Sequence, residues 1–96
     1  MNKRELVLVV SRKTGCSARM TDAMVDAVFD TIAEQLAAGQ DVKIVGFGKF
    51  DVQRRSPRVG RDINRNAPVS VPERYVPRFS AGKPLLIKLE ERSKRT

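Results

Sequence analysis

The most constraining feature of this chain is a stretch that cannot enter a core. Residues 54–68 read Arg-Arg-Ser-Pro-Arg-Val-Gly-Arg-Asp-Ile-Asn-Arg-Asn-Ala-Pro. They offer almost nothing apolar to bury, too few helix formers for a helix, and many turn residues. On either side the pattern has a period of two. Before it, Val42, Ile44, Phe50 and Val52 alternate with Lys43, Lys49, Asp51 and Gln53; after it come Val69, Val71, Tyr75 and Val76. Alternation of this kind makes half-buried strands. The basic segment is therefore either a disordered loop or a long exposed hairpin extending from these strands.

The flanks are helical. Asn2 is placed to cap a helix over about residues 3–13, with Leu6, Val7, Val9 and Val10 on one face. Three valines weaken its intrinsic propensity, so packing must hold it. Thr14-Gly15-Cys16 reads as a turn, and Ser17 as the N-cap of a second helix over about 18–38. Met20, Met24, Val28, Ile32 and Leu36 recur at every fourth position, broadened by Val25 and Phe29. Gly39 suits a left-handed cap. A turn at Val45-Gly46-Phe47-Gly48 breaks the first pair of strands. Beyond residue 82, Pro84 is acceptable in a first helical turn, and Leu85, Leu86 and Leu89 support a short third helix with a small basic tail, Ser93–Thr96, after it. The expected class is α+β: two helices, a small antiparallel sheet with an over-long hairpin, one helix. The apolar stripe of the second helix is wide for so short a chain, which favours burial against a second copy.

Ninety-six residues make one domain. With no His and one Cys (Cys16), neither a zinc site nor a Ser-His-Asp or Cys-His device can be assembled. No nucleophile–base pair or carboxylate pair stands out, so no catalytic residues, no metal ligands and no cofactor are expected, and the chain reads as a non-enzyme. The lone cysteine suits a reducing compartment. The longest apolar run, Leu6–Val10, is too short to span a membrane, and the start has too little apolar sequence for a signal peptide. The net charge of +8 is uneven: residues 1–42 hold five basic and six acidic residues, residues 43–96 fourteen and five. A positive field so concentrated attracts polyanions.

The helix–turn–helix start does not read DNA. Asp22, Asp26, Asp30 and Glu34 make an acidic stripe on the second helix, where Arg19 is the only base, and phosphates would be repelled. The stripe is a solvated outer face. The basic segment is the informative one. Arg54, Arg55, Arg58, Arg61 and Arg65 stand there with one acid, Asp62. The planar guanidinium suits phosphate and a narrow minor groove, and a two-stranded ribbon is thin enough to follow one. Ile63 near the tip is a candidate wedge between base pairs. Asn66 suits a left-handed turn there, and Pro57 and Pro68 keep the ribbon edges from pairing with other chains. The glycines around Phe47 lack the third glycine and following helix of a nucleotide loop, and Gly82-Lys83-Pro84 lacks the Ser/Thr of a P-loop.

Three stretches, Val45-Gly46-Phe47-Gly48-Lys49-Phe50, Arg55-Ser-Pro-Arg58-Val-Gly60-Arg61 and Val76-Pro77-Arg78-Phe79-Ser80-Ala81-Gly82-Lys83, together with the N-terminal Met-Asn-Lys-Arg-Glu-Leu, resemble the HU / integration host factor family of bacterial histone-like DNA-binding proteins. The resemblance covers about residues 1–90. It implies an intertwined dimer, either a homodimer or a heterodimer with a close relative. Each subunit would have an N-terminal helical hairpin, a three-stranded antiparallel sheet, a long β-ribbon arm and a short C-terminal helix. The whole of 1–96 would be one such domain, with the arm at about 54–74 and the tail at about 91–96. By position, Arg55, Arg58 and Arg61 become arm contacts, Lys83 a phosphate contact between the arms, and Phe47, Phe50 and Phe79 the dimer's aromatic core. The candidate DNA-contact set is Lys3, Arg54, Arg55, Arg58, Arg61, Ile63, Asn64, Arg65, Arg74, Arg78 and Lys83. The family's tip usually reads Arg-Asn-Pro and inserts its proline; here it reads Arg61-Asp62-Ile63, with Asn66 for the usual glycine and Pro68 and Pro72 additional. The function implied is largely sequence-neutral binding, bending and compaction of double-stranded DNA through the minor groove, in the cytoplasm and on the nucleoid, with no membrane or small-molecule partner. The alternatives are an RNA-binding or ribosome-associated basic protein, for which stacking aromatics are scarce, and an adaptor using the acidic stripe.

Overall fold

A computed structural model of the chain describes residues 1–62, 64 and 67–94. It divides into two compact units, Met1–Gln35 and Leu36–Thr96. The first is a helical hairpin of α1 (Lys3–Thr14) and the greater part of α2 (Ala18–Ala37). Both starts are capped as the sequence predicts. The Asn2 side chain accepts from the Glu5 N–H at 2.9 Å, and Ser17 Oγ from the Met20 N–H at 3.1 Å. Gly15, at φ 76°, turns the chain out of α1, and its N–H donates to the Ser11 carbonyl. Gly39 takes the same conformation after α2.

The hairpin buries little by itself. Val7 is the one buried apolar side chain among the described residues, and Thr21 donates its hydroxyl to the Ser17 carbonyl at 2.8 Å. The stripe on α2 stays open: Met20, Val28 and Phe29 are each more than half exposed. Leu6, Val10, Met24, Val25, Val28 and Phe29 line most of a wholly apolar cleft of about 370 Å³. An apolar face of this size is rarely left to water, which is the condition for a partner subunit.

The second unit carries two antiparallel assemblies. Strands β1 (Val42–Ile44), β2 (Gly48–Arg55) and β5 (Arg74–Ala81) form a sheet in the order β1-β2-β5, and β3 (Arg58–Asp62) pairs with β4 (Ala67–Val71) as a ribbon. The expected hairpin is thus formed, and the disordered-loop alternative is set aside. The rungs run in step from Arg55↔Arg74 to Arg58↔Val71, so the ribbon continues β2 and β5. Between these rungs lie Pro57 and Pro72, and neither can donate to a ladder. Phe79 lies 5.4 Å from Phe47 and 5.0 Å from Phe50 between ring centroids, a tilted cluster on one face of the sheet. Gly48 makes room for it: a Cβ there would lie 2.6 Å from the Phe79 ring and from the Ser80 carbonyl. The last helix, α3 (Lys83–Lys94), is longer than expected. It passes the predicted start of the tail because Glu90, Glu91 and Arg92 are good helix formers. Its start is tied to the β1–β2 turn by the Gly82 N–H, which donates to the Phe47 carbonyl at 2.8 Å.

Candidate nucleic-acid interface

Register decides which side chains share a face, because opposite residues point the same way and successive residues alternate. The rungs Lys43↔Lys49, Asp51↔Arg78 and Arg55↔Arg74 have one parity. One face of the sheet therefore carries Lys43, Lys49, Arg55, Arg74 and Arg78, with Asp51 among them. The rungs Val42↔Phe50, Phe50↔Phe79 and Val52↔Pro77 have the other parity and form the apolar face. The sheet is cationic on one side and oily on the other.

Two of the cationic rungs set like against like, Lys43 against Lys49 and Arg55 against Arg74. Directly opposed like charges disfavour strand pairing. Arg55 and Arg74 are both exposed, at the root of the arm. Along β2 alternation places Arg54 on one face of the strands and Arg55, with its partner Arg74, on the other. The arm thus presents guanidinium groups to both sides, as an element lying between two phosphate backbones needs.

Several candidate contacts already hold carboxylates. Arg78 donates from Nε and Nη2 to the two oxygens of Asp51 at 3.0 and 2.8 Å, and Lys49 Nζ stands 3.6 Å from the same carboxylate. The Arg78 guanidinium holds the Asp51 carboxyl below its ordinary range, against the opposing effect of burial and with help from Lys49. Arg54 Nη2 donates to Glu73 Oε2 at 2.8 Å. Lys3 pairs with Asp26 and lies 3.8 Å from Asp22, and the hydrogen bond to Asp26 raises its pKa. The acidic stripe is therefore partly neutralised within its own hairpin.

Lys83 opens α3 and shares a groove of about 360 Å³ with Lys43, Lys49 and the glycine turn. Asn64 lies in the turn at the arm's end and is exposed. Arg61 occupies β3 opposite Pro68. Ile63, Arg65 and Asn66 lie outside the described residues. Sequence reasoning missed Lys43 and Lys49 as members of the cationic face, Asp51 as the counter-charge of Lys49 and Arg78, and Glu73 as that of Arg54. The alternation was visible, but which strand lies beside which was not. Among the described residues no group of three or more His, Cys, Asp or Glu is placed to hold a metal ion, and no helix is long and apolar enough to cross a membrane.

Residues 1–90 match the model of the bacterial DNA-binding protein family, the HU family. The chain belongs to that family. Among its curated relatives is DNA-binding protein HRm of Rhizobium meliloti, 48 % identical over 85 residues, spanning 88 % of this chain and 94 % of the relative. DNA-binding protein HU of Thermotoga maritima is 39 % identical over 90 residues, covering 94 % of this chain and all of the relative. The HU family fold is also found in solved structures. An Anabaena HU–DNA cocrystal structure superposes with a TM-score of 0.90 at 39 % identity, over 93 % of this chain and 97 % of that one. An HU variant from Thermotoga maritima gives a TM-score of 0.70 at 34 % identity, over 93 % and 99 %.

Proposed function

We propose that this chain is an architectural, largely sequence-neutral DNA-binding protein that works as a dimer, grips double-stranded DNA with its β-ribbon arms along the minor groove, and bends and compacts it. The observation that carries this reading is the Arg55↔Arg74 rung at the root of the arm. A sheet that opposes two exposed arginines is more stable with a polyanion beside it than without one. Phosphates supply that charge at the spacing of a backbone, and the apolar cleft of the hairpin supplies the reason for a second subunit.

Residues 1–96 act as one HU-like domain, with the arm at about 54–74 and the basic tail at about 91–96. The contacts are Arg54, Arg55, Arg58, Arg61, Asn64, Arg65 and Arg74 on the arm, and Lys3, Arg78 and Lys83 on the body. Ile63 fills the base step that the arm opens. Charge neutralisation and DNA shape do the work, with no bond made or broken and no cofactor. With chromosomal DNA as its partner, the protein resides in the cytoplasm on the nucleoid. The RNA-binding alternative has no support from the relatives cited above, which are named for DNA. Three of the four phenylalanines are also committed to one cluster in the sheet, which leaves few rings to stack unpaired bases.

The test is a gel-shift series on linear, nicked and pre-bent duplexes, with single-stranded RNA as competitor. Tighter binding to nicked and pre-bent duplex than to linear duplex, resisted by RNA, is the expected result. Preference for RNA, or indifference to duplex distortion, overturns the proposal.

A further inference from the structure

The arm leaves the sheet through a joint that the ladder does not span. Body rungs end at Arg55↔Arg74 and arm rungs resume at Arg58↔Val71. In between lie Ser56 and Pro57 on one side and Pro72 and Glu73 on the other, outside the strands, and the prolines have no N–H to give. The joint is tied by side chains instead. Arg54 belongs to the last body rungs, opposite Tyr75, while Glu73 lies in the gap. Their hydrogen-bonded ion pair of 2.8 Å crosses from the sheet to the joint.

We propose that Glu73 is a built-in competitor for the DNA backbone. In the free protein it holds Arg54 and steadies the joint, and in the complex a phosphate takes Arg54 from it. This rests on the proposal above that the arms engage DNA. The pair is suited to exchange: Arg54 and Glu73 are 55 % and 37 % exposed in their side chains, so water and salt already weaken it. A phosphodiester offers the guanidinium the same bidentate geometry as a carboxylate, within a much stronger field of negative charge. Asp51 differs, since it is buried at 6 % exposure and grips Arg78 with both oxygens. Of the two acids, Glu73 is the one DNA displaces. Glu73 thus positions Arg54 before binding and lowers the affinity of the free arm.

Four proteins test this: the parent chain, Glu73→Gln, Arg54→Gln and the double variant, each titrated with one duplex at several salt concentrations. Glu73→Gln keeps a hydrogen-bonding side chain and removes the competing charge. It should tighten binding about three- to tenfold per dimer with the parent's salt slope, because the same phosphates are neutralised. Arg54→Gln should weaken binding and flatten the slope by about two per dimer, one for each arm. In the Arg54→Gln background, Glu73→Gln should tighten far less. Equal tightening in both backgrounds would reduce Glu73 to a long-range charge and overturn the proposal. So would a Glu73→Gln variant that binds more weakly together with an Arg54→Gln slope equal to the parent's, since the pair would then persist in the complex. A parent protein whose affinity ignores salt would instead overturn the DNA-gripping role itself.

Discussion

Arg78 grips Asp51 across the β2–β5 ladder with two parallel hydrogen bonds of 3.0 and 2.8 Å, on the face that otherwise carries only bases and neutral residues. The pair joins two roles that pull in opposite directions. It secures the sheet, and it withholds from DNA two of the cations, Arg78 and Lys49, that a polyanion would seek.

Asp51→Asn should therefore separate stability from affinity. The carboxyl pKa is depressed in the folded chain, chiefly by Arg78. Its contribution is present above the unfolded value of about 3.9 and is lost as pH falls through the lower folded value. Asp51→Asn should lower the Tm by roughly 3–5 °C at pH 7, and the difference from the parent should begin to shrink below about pH 4 and close as the pH passes the lower folded value. DNA affinity at pH 7 should rise, since Arg78 and Lys49 are released. Thermal melts from pH 3 to 7, paired with binding titrations at pH 7, check both. A stable variant with unchanged affinity would show that the pair does neither.

Assembly should govern stability. The α2 stripe is open in a single chain, and Phe79 is 41 % exposed there despite its two ring contacts. The Tm should rise with protein concentration, because folding and dimerisation are one step. Phe79→Ala should cost about 3–5 kcal/mol per site if the ring is fully buried in the dimer. Sedimentation equilibrium combined with urea unfolding measures this, and a folded monomer at low concentration is the contrary outcome.

The like-charge rung gives a salt signature. If about 6–10 phosphates are neutralised per dimer, affinity should fall by roughly 10³–10⁵ between about 50 and 200 mM salt. Arg55→Gln should flatten the slope by about two per dimer and weaken all sequences alike. It should also stabilise the free protein slightly, because it relieves the repulsion from Arg74. A DNA-binding loss confined to one sequence would point to base-edge contacts instead.

Bending should depend on Ile63. Partial unstacking of a base step costs a few kcal/mol and is recovered when the bend brings more phosphates to the body. Ile63→Ala should remove most of the bend and most of the preference for nicked duplex while leaving charge-driven affinity largely intact. Asp62 beside it repels the backbone, so the parent should bend DNA less than an Asn-Pro tip does, and Asp62→Asn should tighten binding. Energy transfer between the ends of a short labelled duplex reads the angle, and a bend unchanged in Ile63→Ala would leave the arm a clamp only.

Local chemistry wrote much of this protein into its sequence. Asn2, Ser17, Gly15 and Gly39 set the helix limits because caps act within a few residues. Alternation marked the strands, and a segment with nothing to bury had to leave the core, so the arm and most of its arginines were legible as a set. What tertiary structure decided is who stands opposite whom. Nothing in the one-dimensional pattern says that Lys43 faces Lys49 or that Arg55 faces Arg74. Nor does it say that Asp51 and Glu73 capture Arg78 and Arg54 from strands that lie 27 and 19 residues away. Charge in a sequence is a sum, but its effect depends on distance. Only strand register turned a basic half-chain into one cationic face, with Arg78 on it and Arg54 on the opposite face already held by acids.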